Sequence, residues 1–198
     1  MSARMRRAVF VDRDGTITKE GEWIRHPGAL ELVDGAGEAL RALHQAGFLV
    51  VMYSNQSAVA RGMITEEGLA DIHEQLQRLL EAQGERLDAI YYCPHHPTAG
   101  VGQYRVVCDC RKPKPGLVLQ AAREMNIDLA GSWCVGDMAR DLDAGRAAGV
   151  RGILVATGKG VEEFARMKGE GRPPEWFEPD ITAATRRILS LTQIDGAD

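Results

Sequence analysis

Two aspartates one residue apart, Asp12 and Asp14, follow directly on a short apolar run, Ala8–Val11. If that run is a strand, residues two apart face the same side. Both carboxylates then project together from its carboxyl end, where ligand crevices form in open α/β sheets. A carboxylate is costly to bury without a partner, so two at one strand exit suggest a cation between or beside them. Gly15 lets the chain turn sharply just beyond. The plainer alternative is a pair of solvated turn aspartates.

A second grouping lies further on. Cys93-Pro94-His95 is followed, after twelve residues, by Cys108-Asp109-Cys110. Three thiols and one imidazole make a full tetrahedral zinc set, and closed sites of that kind are structural. The C-x-H and C-x-C spacings are tighter than the common C-x-x-C, which leaves inert buried cysteines as the alternative. The Pro-, Gly- and His-rich surroundings, however, look like a loop with little core to bury them in. Cys134 falls mid-strand and is read as a small hydrophobe. His96 is set aside as facing solvent or a pocket, and His26, His44 and His73 show no ligand-like grouping.

The scaffold is written in alternating apolar runs and amphipathic stretches, the pattern of an α/β chain with a mainly parallel sheet. Strands are predicted at Ala8–Val11, Phe48–Tyr53, Ala89–Tyr92, Ser132–Val135 and Ile153–Val155. One helix runs from Gly35 to Gln45 with Ala36, Ala39, Leu40 and Leu43 on one face and Gly47 closing it. Another starts after the N-cap Thr65, with Glu66 and Glu67 complementing the helix dipole. It carries Leu69, Ile72, Leu76, Leu79 and Leu80 at helical spacing and ends at Gly84. Pro115 opens a helix to Met125, and Ala139–Ala148 is stopped by Gly149. Gly169 to Pro174 reads as a loop, and Thr182–Leu191 as a last short helix.

Length and charge narrow the classes. The 198 residues suit one domain, and 24 Lys+Arg against 28 Asp+Glu give a formal net charge of −4. That balance argues against a nucleic-acid binder, and Arg4, Arg6 and Arg7 read as a solvated lead-in. No apolar stretch approaches the roughly 18 residues needed to span a bilayer, and no signal-peptide core opens the chain. Four cysteines then favour thiolate or metal chemistry over disulfides. The expectation is a soluble cytoplasmic protein without membrane or nucleic-acid partners. It is also expected to be a monomer, since no coiled-coil pattern or apolar patch is visible.

The motifs recur in one order. The run Asp12-Arg13-Asp14-Gly15-Thr16-Ile17 resembles the first motif, D-x-D-G-T, of the haloacid-dehalogenase superfamily of phosphohydrolases. The resemblance implies that Asp12 attacks phosphorus to form an aspartyl-phosphate, while Asp14 protonates the leaving oxygen and later activates water. One carboxylate must attack and a second must carry a proton. By the same resemblance Ser54 hydrogen-bonds the phosphoryl group and Lys112, in Cys110-Arg111-Lys112-Pro113, supplies a fixed ammonium for its oxygens. Gly136-Asp137-Met138-Ala139-Arg140-Asp141 matches G-D-x-x-x-D, whose first aspartate is a magnesium ligand. Asp12, the backbone carbonyl of Asp14 and Asp137 would hold the ion, with Asp141 bracing the loop.

The segments Tyr91–Pro97, Cys108–Pro113 and Ser54–Gly62 resemble one branch of that superfamily. It contains the heptose bisphosphate phosphatases and the related histidinol-phosphate phosphatases. The likeness covers roughly Ala8 to Gly158. It implies a Rossmann-like three-layer core without a large cap domain, and a zinc loop at about 93–110 held by Cys93, His95, Cys108 and Cys110. The long stretch between His95 and Cys108 favours the heptose side, a phosphorylated sugar substrate, over histidinol phosphate. A catalytically silent zinc-stabilised module is the remaining alternative. The resemblance places Asn55, Gln56 and Arg111 on the substrate, and the loop Glu20-Gly21-Glu22-Trp23 where the family contacts it. Two departures stand out: that loop lacks an Asp-His-Gly-Tyr-like sequence, though Trp23 offers an aromatic, and Met138 stands where Lys is expected.

Overall fold

Among the described residues six strands, all parallel, form one sheet in the order β3-β2-β1-β4-β5-β6. The structure is a computed structural model and describes residues 5–21 and 23–195; Arg4 and Glu22 lie outside them. The strands are β1 (Ala8–Val11), β2 (Leu49–Asn55), β3 (Ala89–Cys93), β4 (Trp133–Gly136), β5 (Arg151–Val155) and β6 (Trp176–Glu178). The helices are α1 (Ala36–Gln45), α2 (Ser57–Ala60), α3 (Glu66–Glu81), α4 (Gly116–Met125), α5 (Ala139–Ala147), α6 (Gly160–Gly169) and α7 (Ile181–Asp195).

Strand period two sorts the sheet into two apolar faces. Val9 and Val11 turn toward Leu40 of α1, Leu76 of α3 and Ile188 of α7. Ala8 and Phe10 turn toward Val118 of α4 and Ala144 of α5. Leu142 of α5 and Met167 of α6 close over Leu154 of β5. The result is the expected three-layer, Rossmann-like sandwich. Long connections stay thin: 12–35 contains one short 3-10 turn, Pro27–Ala29, and 94–115 another, Gly102–Tyr104. Among the described residues no folded cap interrupts the core.

The strand order reverses between β1 and β4, because β1 leads to β2 on one side and β4 to β5 on the other. The chain therefore opens a crevice at the carboxyl ends of β1 and β4. Val135 O accepts a hydrogen bond from Asp12 N at 3.0 Å, so the two strand exits are tied together there.

Several elements depart from expectation. The strand expected at Phe48–Tyr53 continues through Ser54 and Asn55, and Cys93 ends β3 instead of opening the loop. The helix α6 and the edge strand β6 were not foreseen, and α7 runs 15 residues where a short helix was expected.

Candidate active site and metal centres

Asp12 stands at the exit of β1, nearly buried. Its Oδ1 accepts from the N–H of Arg13 at 2.8 Å and lies 3.1 Å from Lys112 Nζ. Burial by itself would raise its pKa. The ammonium of Lys112, the guanidinium of Arg140 and a hydrogen bond from Ser54 outweigh burial and hold it below the usual aspartate value. Asp12 is thus kept as an anion inside the protein.

Lys112 is buried too, and it reaches the site through three acceptors. Its Nζ lies 2.9 Å from Tyr53 O, 2.7 Å from Asp141 Oδ1 and 3.1 Å from Asp12 Oδ1, and 4.2 Å from the Tyr53 ring centre. Burial pushes the ammonium down, but Asp12 and Asp141 outweigh it and keep Lys112 above its ordinary pKa. A lysine so surrounded stays charged and fixed.

Asp137 follows β4. A Cβ on Gly15, whose φ is +78°, or on Gly158 would overlap its carboxylate, so two glycines make the room it occupies. Lys159 N donates to Asp137 Oδ2 at 2.9 Å. Burial, then Asp12 and Asp141, push its pKa up to about 7. Ligand oxygens of Asp12, Asp137 and Asp141 lie within 4.8 Å of one another. Carboxylates crowded this closely repel, and a hard divalent cation taking oxygen ligands relieves the repulsion. Asp12 and Asp137 fit such an ion. Asp141 directs Oδ1 to Lys112 and Oδ2 to the N–H of Met138 at 3.0 Å, which makes it a brace for the loop.

Asp14 carries a partly exposed side chain, held by both Nε and Nη2 of Arg13 at 2.9 Å. Gln56 Nε2 bonds Ser54 Oγ at 2.9 Å and approaches Asp14 Oδ2 at 3.4 Å. A polar chain therefore runs from Asp12 through Ser54 and Gln56 to Asp14. The adjoining cavity, of about 230 Å³, is lined by Asp14, Trp23, Asn55, Gln56, Arg140 and Lys159 among others. A larger recess of about 420 Å³ around Arg7, Gly47 and Asp128 sits away from these carboxylates.

The expected substrate residues divide. Gln56 and Trp23 face the cavity, and Arg61 stacks over the Trp23 ring at 5.4 Å. Asn55 borders it, but its amide holds the Lys112 backbone from both sides, accepting from N at 3.0 Å and donating to O at 3.1 Å. Glu20 is exposed and pairs with Lys159 Nζ at 3.3 Å. Arg111 is half-buried, donates to His95 O at 2.9 Å, and lines a neighbouring groove with Val106, Val107 and Pro113.

The second cluster gathers as expected. Sγ of Cys93, Cys108 and Cys110 lie 3.1 to 3.5 Å apart, and His95 Nδ1 is 3.4 Å from Cys110 Sγ. All three are free thiols. Their spacing exceeds the ~2.05 Å of a disulfide and is near the separation of thiolates sharing a tetrahedral ion with ~2.3 Å bonds. The hydrogen bond to Cys93, then burial, push the Cys110 thiol far up; a bound zinc would reverse that. Tyr92 and Tyr104 both donate to Glu66 at 2.8 and 2.9 Å, pinning the loop to α3.

The comparisons with known proteins agree with this geometry. A HAD-hydrolase-like family profile matches residues 109–184. The D-glycero-β-D-manno-heptose-1,7-bisphosphate 7-phosphatase of Pasteurella multocida is 44% identical over 165 residues, 83% of this chain and 89% of that protein. Its counterpart in Escherichia coli K12 is 44% identical over 153 residues, 77% of this chain and 80% of that one. The chain belongs to the heptose-bisphosphatase branch of the HAD-like hydrolases. Among solved structures, the D,D-heptose 1,7-bisphosphate phosphatase of B. bronchiseptica, complexed with magnesium and phosphate, superposes with a TM-score of 0.82. It is 35% identical and is matched over 93% of this chain and 99% of the other.

As a member of this branch the protein is a phosphoric monoester hydrolase. Two of its cavity cations had not been singled out from the sequence. Arg140 opens α5 within the G-D-x-x-x-D motif, and Lys159 follows β5. Both sit just beyond strand exits, Arg140 after β4 at the switch point and Lys159 after its neighbour β5, which was the readable signal.

Proposed function

We propose that this phosphatase removes the 7-phosphate of D-glycero-D-manno-heptose 1,7-bisphosphate, using Asp12 as nucleophile and Asp14 as general acid/base. The observation that carries the reading is the buried Asp12 anion, 3.1 Å from Lys112 Nζ and grouped with Asp137. The curated relatives carry the names of that activity. They favour it over histidinol phosphate, and the intact Asp12, Asp14 and Lys112 set favours it over a silent binding module.

The chemistry follows from the residues. A carboxylate oxygen of Asp12 attacks phosphorus while the ester P–O bond breaks. The leaving oxygen takes the electron pair and a proton from Asp14. Ser54 and Lys112 stabilise the non-bridging oxygens. Asp14, now ionised, removes a proton from water, which attacks phosphorus and releases phosphate and the Asp12 carboxylate. Asp12, the backbone carbonyl of Asp14 and Asp137 would hold magnesium, which when bound offsets repulsion between anionic nucleophile and anionic ester. The zinc set Cys93, His95, Cys108 and Cys110 is structural.

Gln56 and Trp23 line the cavity that would receive the sugar, and Arg140 and Lys159 place positive charge at its mouth, suited to a second phosphate. Arg111, Asn55 and Glu20 contribute beside them, Asn55 through Lys112 and Glu20 through Lys159. Residues 1–198 are taken as one phosphatase domain with a zinc loop at about 93–110, supported by the single sheet. Among the described residues no helix is long and apolar enough to cross a membrane. A cytoplasmic monomer without nucleic-acid partners completes the reading, supported by the net charge of −4.

The test is phosphate release with magnesium, comparing both heptose bisphosphate anomers, histidinol phosphate and simple sugar phosphates by kcat/KM. The highest value is expected for a heptose bisphosphate; a higher value for histidinol phosphate would overturn the substrate assignment.

A further inference from the structure

Arg13 lies between the two catalytic aspartates in sequence, yet its side chain is 2% exposed. Nε and Nη2 each reach a different oxygen of Asp14 at 2.9 Å, a bidentate fork. Its carbonyl is fully engaged too. Arg13 O accepts from the N–H groups of Ile17 at 3.1 Å and Thr18 at 3.0 Å, and from Thr18 Oγ1 at 3.1 Å. The backbone that carries the guanidinium is therefore fixed by the turn.

The surroundings leave the fork one counterion. Among the described residues Arg13 has one salt-bridge partner, Asp14. Arg13 Nη1 and His73 Nε2 are both buried without a hydrogen-bond partner among the described residues. His73 is held neutral, pushed down to about 3 by burial and then by Arg13. A buried guanidinium with one counterion cannot leave it cheaply, so its position dictates that of the Asp14 carboxylate.

We propose that Arg13 is a positioning residue, which orients Asp14 so that Oδ1 is the atom that carries and delivers the proton. Oδ2 faces two donors, Arg13 Nη2 at 2.9 Å and Gln56 Nε2 at 3.4 Å. Among the described residues Oδ1 accepts from Arg13 Nε alone, and a carboxylate oxygen offers about two acceptor sites. One site on Oδ1 stays open. In the first step that proton passes to the leaving oxygen as the ester P–O bond breaks. In the second, Oδ1 regains a proton from the attacking water.

This inference rests on the proposed roles of Asp12 and Asp14, and leaving-group dependence separates it from a structural role. An alkyl phosphate needs the acid, whereas 4-nitrophenyl phosphate releases a stable phenolate and needs it little. kcat/KM covers the steps from free substrate through expulsion of the leaving group and leaves out the later hydrolysis of the phosphoenzyme. Arg13→Lys and Arg13→Gln are expected to lower kcat/KM for heptose bisphosphate at least about 10-fold more than for 4-nitrophenyl phosphate. In an Asp14→Asn background the same changes should add no further loss. Equal losses on both esters, or no loss on either, would overturn the proposal. Guanidinium NMR of the native-sequence protein provides a reading independent of turnover and of those variants. The Arg13 Nε–H should be protected from exchange and lose that protection in Asp14→Ala, which leaves no acceptor; protection that survives the substitution would also overturn it. A native protein inert on both esters would instead remove the phosphatase reading, while the NMR result still decides whether the pair exists.

Discussion

The amide of Asn55 grips the backbone of Lys112 from both sides, accepting from its N–H at 3.0 Å and donating to its carbonyl at 3.1 Å. The same lysine places its ammonium 3.1 Å from Asp12. The end of β2 thereby sets the position of a charge that belongs to a distant loop. Asn55→Ala should lower kcat about 10- to 100-fold, the equivalent of one or two hydrogen bonds of about 1–1.5 kcal/mol each. KM should move less, because the amide's bonds go to the enzyme itself. Steady-state kinetics on a sugar phosphate checks this. A variant that raises KM alone would show Asn55 acting chiefly on the substrate.

Zinc should matter to catalysis through the chain, without touching substrate. Cys110 precedes Lys112 by two residues, and Arg111 between them bonds the carbonyl of His95. Metal analysis is expected to give about one zinc per chain. Cys110→Ala should lose that zinc and lower both kcat and Tm; a cost of even about 2 kcal/mol lowers Tm by roughly 4–8 °C at this size. A zinc-free protein with unchanged melting and turnover would remove the assignment.

Acid should destabilise the fold through His73. Burial, then Arg13, hold its pKa at about 3 against an ordinary 6.5. An unfolded chain binds a proton that the folded one refuses. Its contribution is therefore present above about pH 6.5, falls as pH drops, and levels off near pH 3. Over that window this group alone removes about 1.4 kcal/mol per pH unit. Denaturant titrations of the native sequence and of His73→Gln should show a steeper acid loss in the native sequence, and parallel pH curves would exclude His73 as the cause.

Much of this arrangement was legible because it is written locally. Asp12 and Asp14 share one short motif, Asp137 another, and each follows an apolar run that had to be a strand. The zinc ligands likewise sit in two tight pairs. The helix α6 was missed although Glu163, Arg166 and Glu170 stand at i, i+3 and i+4 spacing and pair at 2.6 to 2.8 Å. Its few apolar residues and its flanking glycines left it without an assignment, and only Gly169 to Pro174, starting at its last residue, was read as loop. The strand β6 is three residues long and takes its order from pairing with β5, which no local pattern states. Long-range partnerships were equally hidden. That Asn55 serves Lys112, that Arg140 and Lys159 border the cavity, and that the Arg13 fork folds back on Asp14 all depend on how strand exits meet in space.

The central claim is that Asp12 attacks phosphorus, and the substitution Asp12→Asn tests it most directly. It removes the anion while changing few atoms, and circular dichroism with zinc content can confirm that the fold is retained. Magnesium-dependent phosphate release from heptose bisphosphate should fall to background in that variant. Turnover retained within about 10-fold of the native sequence, in a folded and zinc-loaded Asp12→Asn protein, would contradict the account.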